Sequence, residues 1–175
     1  MSGYVSRMSP GVTSCSLALG NATLGAVSIR VLWLTKGLGP GGAERLLVEM
    51  AGRIDHDRFD VTAAYVLPWK DHLAGELEAN GVRTVCLSRR DPDPWWPLRL
   101  RDVMARFDIV HAHDWLAANA MIWIKQGRNR KCLLTIHSTE YARCGNTFPG
   151  GRSIRVRDQE RAGTYWADKV ICVSH

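Results

Sequence analysis

A short histidine-rich segment is the first candidate for chemistry. It reads His111-Ala112-His113-Asp114-Trp115 and follows a short apolar run. Alternate residues of a strand point to the same face, so we expect the imidazoles of His111 and His113 side by side, with Asp114 capping a following helix. A substrate contact, chiefly through His113, a metal-dependent hydrolytic site and a structural role all stay open. The metal site is the least favoured, because residues 115–118, Trp-Leu-Ala-Ala, supply no further ligand.

A glycine-rich segment, residues 36–45, is the second candidate and lies between a predicted strand and a predicted helix. Glycines let the backbone approach a ligand, and a helix start offers free N–H groups and a positive dipole end to phosphate. Gly37, Gly39 and Gly42 also fit the GxGxxG dinucleotide fingerprint. That fingerprint requires an acidic residue near the end of the second strand, where this chain has Tyr-Val-Leu-Pro-Trp at 65–69. The segment predicts a phosphate site, with a plain connecting turn as the alternative.

A third polar segment, residues 135–141, ends another apolar run and reads Thr-Ile-His-Ser-Thr-Glu-Tyr. Its hydroxyls, carboxylate and phenol suit hydrogen bonding to a polyhydroxylated ligand. Loops are polar in any case, so a plain surface loop is the alternative. The candidate binding residues of this segment are His137, Ser138, Thr139 and Glu140.

These segments need a scaffold, and the remaining sequence predicts one. From Val27 onward, short apolar, β-branched runs alternate with runs of helical period, which is typical of βα units that build a parallel sheet. We predict an α/β fold, with a Rossmann-like parallel sheet and helices on both of its faces. The predicted strands are residues 28–35, 59–67, 82–88, 108–111, 132–137 and 169–174. The predicted helices are residues 43–54, 70–80, 97–106, 115–126 and 152–166.

The predicted topology brings the candidates together. Because the carboxyl ends of parallel strands share one edge of a sheet, we expect the three polar segments to converge there. Two loops, residues 89–96 and 138–151, are longer than a minimal βα unit needs, and long loops in a compact domain often carry function. We therefore expect a binding site at this edge of the sheet.

Length and composition bound the class of protein. The chain has 175 residues, 46% of them hydrophobic and 23% charged, which fits one globular domain at residues 27–175. We expect residues 1–26 to be disordered or to precede the true start of the protein. No run of about 18 apolar residues predicts a membrane span. The five cysteines are scattered and form no CxxC pair, which favours a reducing cytoplasm.

The formal net charge of +6 comes from local groups of arginines. These groups lie at residues 89–106, 128–131 and 152–161. Such groups are typical of a solvated surface, or of attraction to an anionic substrate or to an acidic lipid surface, so peripheral membrane contact is a further expectation. Nucleic acid is not expected as a partner, because the aromatic residues do not interleave with the basic ones as a base-stacking platform requires.

Four blocks of the sequence together resemble the family 4 glycosyltransferases, which include the glycogen- and starch-synthase-like enzymes. The blocks are Gly-Gly-Ala-Glu-Arg at 41–45, Asp-Ile-Val-His-Ala-His-Asp-Trp at 108–115, Thr-Ile-His-Ser-Thr-Glu-Tyr at 135–141 and Ala-Asp-Lys-Val-Ile-Cys-Val-Ser at 167–174. They occur in the order of the family, and the resemblance covers residues 27–175.

The resemblance implies the amino-terminal half of a GT-B enzyme, which has two Rossmann-like domains and an active site in the cleft between them. It implies transfer of a hexosyl group, with retention, from a nucleotide-sugar donor to a sugar, lipid-linked or other hydroxyl acceptor, and no cofactor or catalytic metal. On this resemblance, Gly41 and Gly42 approach the donor phosphates, and His113 contacts and orients the transferred sugar. Asp114 and residues 137–140 complete the expected binding site, and the two long loops select the acceptor.

The sequence departs from the family after His175, where the second domain does not follow. In the family that domain carries basic residues for the donor diphosphate and a pair of glutamates spaced E-x7-E. We therefore expect a truncated chain that is inactive alone, since charge developing on the leaving phosphate would lack its main stabilisers. Two rivals remain: a module that binds a polyol or a nucleotide without chemistry and, less favoured, a nicotinamide-dependent oxidoreductase.

Overall fold

The computed structural model describes residues 28–90, 92–128 and 130–173. The expectation for residues 1–26 and the end of the sixth predicted strand, Ser174, fall outside this part. Its strands are β1 Ile29–Thr35, β2 Phe59–Tyr65, β3 Arg83–Cys86, β4 Ile109–His113, β5 Lys131–Ile136 and β6 Lys169–Cys172. Its helices are α1 Gly42–Ala51, α2 Ala74–Ala79, α3 Trp96–Met104, α4 Asp114–Arg128, α5 Glu140–Arg143 and α6 Arg152–Trp166.

The strands form one sheet in the order β3-β2-β1-β4-β5-β6. Every neighbouring pair of strands is parallel. This is the strand order of a doubly wound Rossmann fold, in which the chain winds outward in both directions from the middle of the sheet. The prediction of a Rossmann-like α/β fold is therefore confirmed.

Helices cover both faces of the sheet, and each face has its own apolar core. On one face, Leu47 of α1 and Leu77 of α2 are buried against β1 and β2. On the other face, Leu100 of α3 and Met121 of α4 are buried against β1, β4 and β5. Successive side chains of a strand alternate between the two cores, so each strand holds both helical layers in place. Burial of one such side chain stabilises the fold by about 1.5–3 kcal/mol.

α6 covers the same face as α4, and Gly163 permits their close approach. A Cβ atom added to Gly163 would lie 2.8 Å from Ala118 Cβ and 3.0 Å from Leu134 Cδ2. Contacts that short are repulsive, so an alanine at this position would push α6 outward. The close packing puts the first turn of α6, at Arg152 and Arg155, beside the first turn of α4, at Trp115.

β4 extends two residues beyond the prediction, to His113 rather than His111. The polar residues here read as a loop in the sequence, but His113 pairs with Thr135 of β5 in parallel register. The ladder keeps the segment extended, and the alternation of side chains then buries both imidazoles. The histidine segment is therefore part of the rigid sheet.

Two helices also differ from the prediction. The helix expected at 70–80 begins only at Ala74, because the backbone before it is held by the glycine-rich segment: the N–H of Leu73 donates to the carbonyl of Leu38 at 2.9 Å. The long loop at 138–151 contains α5, whose start is stabilised by Thr139, since its hydroxyl accepts a hydrogen bond from the N–H of Ala142 at 3.3 Å. None of the helices in the described part has the length and apolar character that a membrane span requires.

Candidate functional site

The three polar segments meet at the carboxyl edge of the sheet. They follow β1, β4 and β5, which are neighbours in the strand order. The chain winds from β1 towards β3 on one side and from β4 towards β6 on the other, so the crevice between β1 and β4 is a topological switch point. Open α/β sheets bind ligands at such points. The predicted convergence of the segments is confirmed.

A cluster of histidines lies at the ends of β4 and β5. The rings of His111 and His113 are 4.2 Å apart, so the two imidazoles share one face of β4, as the alternation predicts. His113 Nδ1 lies 3.1 Å from His137 Nε2, and His111 Nε2 lies 2.7 Å from the hydroxyl of Thr135. Across the part of the chain that the structure describes, no three or more His, Cys, Asp or Glu side chains are grouped to hold a metal ion.

Burial keeps two of these imidazoles neutral. Desolvation lowers the pKa of His111 to about 4 and lowers the pKa of His113 well below its ordinary 6.5, with the neighbouring imidazoles adding to both shifts. His113 is 3% exposed, and its Nε2 has no hydrogen-bond partner among the described residues. A buried polar atom without a partner costs about 1–3 kcal/mol, so a ligand that bonds to Nε2 removes a penalty.

Asp114 turns the chain sharply from β4 into α4. Its φ of +62° lies in the left-handed region, which aspartate tolerates better than most residues. Its carboxylate accepts a hydrogen bond from the backbone N–H of His137 at 3.0 Å. The sequence predicted that Asp114 caps α4; instead, its carboxylate ties the end of β5 to the end of β4. This bond positions the His137 imidazole against His113.

A cavity of about 230 Å³ opens beside the cluster. His113, Asp114 and His137 all line it, which brings three predicted site residues together. The other polar residues of its lining include Thr35, Lys36, Glu44, Lys70 and Arg143. Within the described residues, Lys36 and Lys70 make no ion pair. Free ammonium groups suit phosphate, and carboxylates suit the hydroxyls of a sugar, so the cavity fits a ligand that has both.

The glycine-rich segment lines this cavity through Lys36, Ala43 and Glu44, whereas Gly41 and Gly42 lie outside the lining. Gly41 precedes α1 in an extended conformation and no side chain caps the helix, so the first N–H groups of α1 stay available to a ligand. A Cβ atom on Gly42 would meet no atom within 4 Å, whereas one on Gly37 would lie 2.7 Å from Lys70 Cβ. Packing therefore requires glycine at 37, while the space at Gly42 is open.

The segment after β5 divides into two parts. His137 lines the cavity, whereas Ser138, Thr139 and Glu140 lie outside its lining. The Ser138 carbonyl accepts a hydrogen bond from Arg143, the Thr139 hydroxyl caps α5, and the Glu140 carboxylate pairs with Arg143 at 3.2 Å. These three residues make contacts within the protein that hold Arg143 in the cavity wall.

The basic side chains of the cavity, Lys36, Lys70 and Arg143, were not among the predicted site residues. Lys36 directly follows β1, and Lys70 follows β2, so their approach depends on the pairing of β1 with β2. The position of Lys36 at the start of the glycine-rich segment was the only signal. Arg143 belongs to α5, a helix that the sequence did not predict.

A larger cavity, of about 660 Å³, lies at the opposite, amino edge of the sheet. Size alone favours it as a binding site, and Arg106 in its lining makes no ion pair within the described residues, but ion pairs between neighbouring strands use two of its arginines. Arg83 pairs with Asp60 at 2.8 Å, and Arg30 pairs with Asp108 at 2.9 Å. None of the three polar segments reaches this edge. We therefore place the candidate site in the smaller cavity at the carboxyl edge.

The sheet order and the polar cavity at its switch point define a Rossmann-like domain that binds its ligand at the carboxyl edge. The sequence profile of Glycosyltransferase Family 4 matches residues 40–175. The chain belongs to this family, of which it forms the amino-terminal domain. No curated protein matches the chain.

Solved structures share the fold at low sequence identity. HepE (Alr3699) from Anabaena, in complex with UDP and glucose, is similar with a TM-score of 0.60 and 16% identity, over 81% of this chain and 37% of HepE. HepE in complex with UDP-glucose gives 0.58 and 15%, over 83% and 43%. VPA0982 from Vibrio parahaemolyticus, a protein of unknown function, gives 0.50 and 13%, over 84% and 94%. The chain thus spans less than half of HepE, and its sheet is that of the amino-terminal half of a GT-B fold.

Proposed function

We propose that this chain is the acceptor-side half of a retaining glycosyltransferase, which moves a hexosyl group from a nucleotide sugar to a sugar, lipid-linked or other hydroxyl acceptor. One observation carries the proposal: the neutral His113, with an unpartnered Nε2, in the wall of a cavity at the switch point of the sheet. HepE, which shares the fold, has UDP and glucose bound in its crystal structure. A nucleotide sugar would bring a diphosphate and hydroxyls to this cavity.

The donor phosphates are placed at the start of α1 in this proposal. No side chain caps α1, and the open space at Gly42 admits a phosphate oxygen, while the space at Gly41 is filled by the Glu44 carboxylate. Lys36 and Lys70 add two ammonium groups from the same cavity. Backbone donors, the helix dipole and both lysines thus act on the same charge.

His113 orients the transferred sugar and does not attack it. A neutral imidazole offers a directional hydrogen bond without adding positive charge beside an anomeric carbon that becomes positive in the transition state. The hydrogen bond between His113 Nδ1 and His137 Nε2 couples the tautomers of the two rings. When His137 donates, His113 Nε2 carries a proton for a sugar oxygen; in the opposite tautomer, Nε2 accepts from a sugar hydroxyl. Asp114 is a positioning residue that acts through His137.

Retention follows in this proposal when the acceptor attacks from the face that the phosphate leaves. The bond between the anomeric carbon and the phosphate oxygen breaks, and the acceptor oxygen forms the new bond to that carbon. The acceptor proton passes to the departing phosphate oxygen. The protein contributes orientation and charge stabilisation, and no cofactor or metal takes part.

A carboxyl-terminal GT-B domain would complete the active site. The chain spans only 37% and 43% of the two HepE chains. Stabilising the charge on the leaving diphosphate is usually the largest single contribution to catalysis, and in this proposal the second domain supplies most of it. We therefore expect the chain to be inactive alone.

The acceptor is proposed to contact Ser138, Thr139 and Glu140 and the loop before α3. Asp93 supports that loop, because its carboxylate accepts the backbone N–H groups of Arg89 at 2.7 Å and of Trp95 at 2.9 Å. A supported loop can present its exposed side chains reproducibly to a substrate. We place the reaction in the cytoplasm, with the arginine-rich helices in peripheral contact with an acidic membrane surface.

The test compares the chain alone with the chain joined to the carboxyl-terminal domain of a family 4 enzyme. Each protein is incubated with a set of nucleotide sugars, nucleotide release is measured, and the anomeric configuration of the product is read by nuclear magnetic resonance. We expect release by the joined protein only, with retention. Inversion of configuration would contradict the mechanism, and hydride transfer to a nicotinamide cofactor by the chain would contradict the proposed class.

A further inference from the structure

A second concave surface lies beside the candidate site, between the first turns of α4 and α6. It is a cavity of about 310 Å³ lined by Trp115, Arg152, Arg155, Val156 and Gln159, and we call it the basic pocket. Its lining combines two guanidinium groups, an amide and a flat aromatic ring. Trp115 also lines the cavity of the candidate site, whereas the other four residues line only the basic pocket.

The arginines of the basic pocket have no counter-charge. In the part of the chain that the structure describes, neither Arg152 nor Arg155 makes an ion pair. By contrast, the nearby Arg143 pairs with Glu160 at 2.8 Å. The first turn of α6 contains no acidic residue, so the positive end of its dipole adds to the guanidinium charges. The two guanidinium groups and the helix dipole repel one another, and an anion in the pocket would offset this repulsion.

The position of the basic pocket indicates which substrate reaches it. Trp115 lies at the start of α4, two residues after His113, and connects the pocket with the candidate site. α1, where the donor phosphates are placed, packs on one face of the sheet, whereas α4 and α6 pack on the other. Because the start of α1 is given to the donor phosphates and Trp115 lines both cavities, a second ligand in the basic pocket lies beside the candidate site, and the acceptor is the substrate left to occupy it.

We propose that the basic pocket binds an oxyanion, phosphate or carboxylate, carried by the acceptor; this inference rests on the proposed glycosyl transfer. Guanidinium groups form paired hydrogen bonds with both kinds of oxyanion, and the Gln159 amide adds a further donor. The Trp115 ring supplies an apolar surface on which a sugar ring can pack. The acceptor is accordingly an acidic or phosphorylated molecule rather than a neutral glycan.

Inorganic phosphate is the probe, because it carries the proposed group and little else. Binding to the chain is followed by nuclear magnetic resonance through the indole N–H of Trp115 and the side-chain amide of Gln159. The Trp115 signal is assigned with Trp115→Phe, and the Gln159 signal with Gln159→Leu. The Gln159 signal reports on the basic pocket alone and separates it from phosphate bound at the start of α1, whereas Trp115 lines both cavities and reports on either.

The test variant is Arg152→Gln with Arg155→Gln, and the control is Arg157→Gln with Arg161→Gln. Both remove two positive charges from α6, but Arg157 and Arg161 do not line the pocket. We expect phosphate to bind roughly tenfold more weakly to the test variant, and within about twofold of the unmodified chain to the control. Equal weakening in both variants would overturn the proposal, as would phosphate that does not shift the Gln159 signal in the unmodified chain.

Two further arms identify the source of the oxyanion. Glucose 6-phosphate represents a soluble acceptor, and vesicles of phosphatidylcholine with phosphatidylglycerol represent a lipid acceptor. Whichever of the two ligands binds, we expect it to bind more weakly to the Arg152→Gln, Arg155→Gln variant. Weaker binding to the Arg157→Gln, Arg161→Gln variant instead would overturn the proposal. These binding measurements contain no nucleotide sugar, so their outcome does not depend on whether the protein transfers sugar. A chain that binds phosphate here yet transfers no sugar after joining to its second domain refutes the proposed function and keeps the oxyanion site.

Discussion

The amino and carboxyl edges of the sheet differ in how their charged side chains are partnered. At the amino edge, ion pairs join neighbouring strands: Arg30 of β1 pairs with Asp108 before β4 at 2.9 Å, and Asp60 of β2 pairs with Arg83 of β3 at 2.8 Å. Hydrogen bonds from Arg30 lower the pKa of Asp108 to about 2. These two ion pairs therefore hold neighbouring strands together.

The carboxyl edge has polar groups that the described residues leave without partners. His113 Nε2 is buried without a hydrogen bond, and Lys36, Lys70, Arg152 and Arg155 make no ion pair within the described part of the chain. A buried atom without a partner reduces stability and persists where a ligand completes it, while lysine and arginine side chains without an ion pair stay available to an anion. The amino edge also has such a group, since the buried hydroxyl of Thr62 in the lining of the larger cavity has no partner among the described residues. The ion pairs between strands nevertheless indicate that the amino edge serves the fold, while the buried imidazole and the lysines without ion pairs indicate that the carboxyl edge serves binding.

The largest expected effect comes from His113→Ala, measured in the chain joined to its second domain. We expect kcat to fall roughly 100-fold, because removal of one hydrogen bond to a transition state costs about 10²–10³ in kcat. Nucleotide release at saturating donor measures the effect, and thermal unfolding checks that the variant is folded. A folded variant with full turnover would remove His113 from the mechanism.

The buried His111 should make the fold sensitive to mild acid. Its pKa is about 4 in the folded chain and about 6.5 when unfolded, so the unfolded chain takes up a proton first as the pH falls. The stability due to its neutral state is complete above about pH 6.5 and is lost towards pH 4. We expect the free energy of unfolding, from urea titrations, to fall by about 2 kcal/mol more in the native chain than in His111→Gln between about pH 7.5 and pH 5, while the buried, neutral His113 makes both proteins less stable over the same range.

Asp108→Asn is the control at the amino edge, and it titrates in a separate range. The side-chain hydrogen bond from Arg30 is the main cause of the lowered pKa of Asp108, about 2, so its contribution to stability is present above about pH 4 and is lost as the pH falls towards 2. The stability difference between the native chain and this variant should stay constant from about pH 7.5 to pH 5. A difference that already changes near pH 6 would show that the two edges are coupled.

Gly42→Ala separates ligand binding from folding. A Cβ atom at this position meets no protein atom within 4 Å, and the same is true of Gly75 in α2, so Gly75→Ala is a matched control. Alanine is the better helix former, and we expect both variants to be at least as stable as the native chain. Only Gly42→Ala should raise KM for the nucleotide sugar, by about tenfold, because its methyl group occupies the proposed phosphate position. An unchanged KM would place the phosphates elsewhere.

The smallest effect is expected from Arg83→Ala at the amino edge. The side chain of Arg83 is 67% exposed, and exposed ion pairs contribute about 0.2–1 kcal/mol to stability. Turnover and KM of the joined protein should be unchanged, because the larger cavity takes no part in the reaction. Altered kinetics in a stable Arg83→Ala variant would give that cavity a role and weaken the contrast between the edges.

The fold was predictable because each strand is a β-branched, apolar run between clear turn residues. α6 occupies the predicted residues, Arg152–Trp166, and the remaining predicted elements lie close to their observed bounds. β4 was predicted two residues too short, because the polarity of His113 and Asp114 hides the ladder that pairs His113 with β5. Local polarity indicates a loop, while tertiary pairing makes a strand.

The site was predictable in its strand-end residues and not in its pairings. His111 and His113 are two positions apart in a strand, so the sequence places them on one face. The contact of His113 with His137, by contrast, depends on the register of β4 against β5. The approach of Lys70 depends on the order of the strands, and that of Arg143 on a four-residue helix in a glycine-rich loop. Contacts between distant segments carry no local signal in one sequence.

Hydrogen–deuterium exchange of the joined protein, with and without UDP-glucose, tests the central claim most directly. We expect the nucleotide sugar to slow exchange at residues 41–45 and 111–114, at the carboxyl edge, and to leave exchange at residues 60–62 and 83–85 unchanged at the amino edge. Backbone amides beside a bound phosphate or sugar lose access to water, which is the physical reason for the slowing. Protection concentrated around Asp60 and Arg83, with none near His113, would contradict the account.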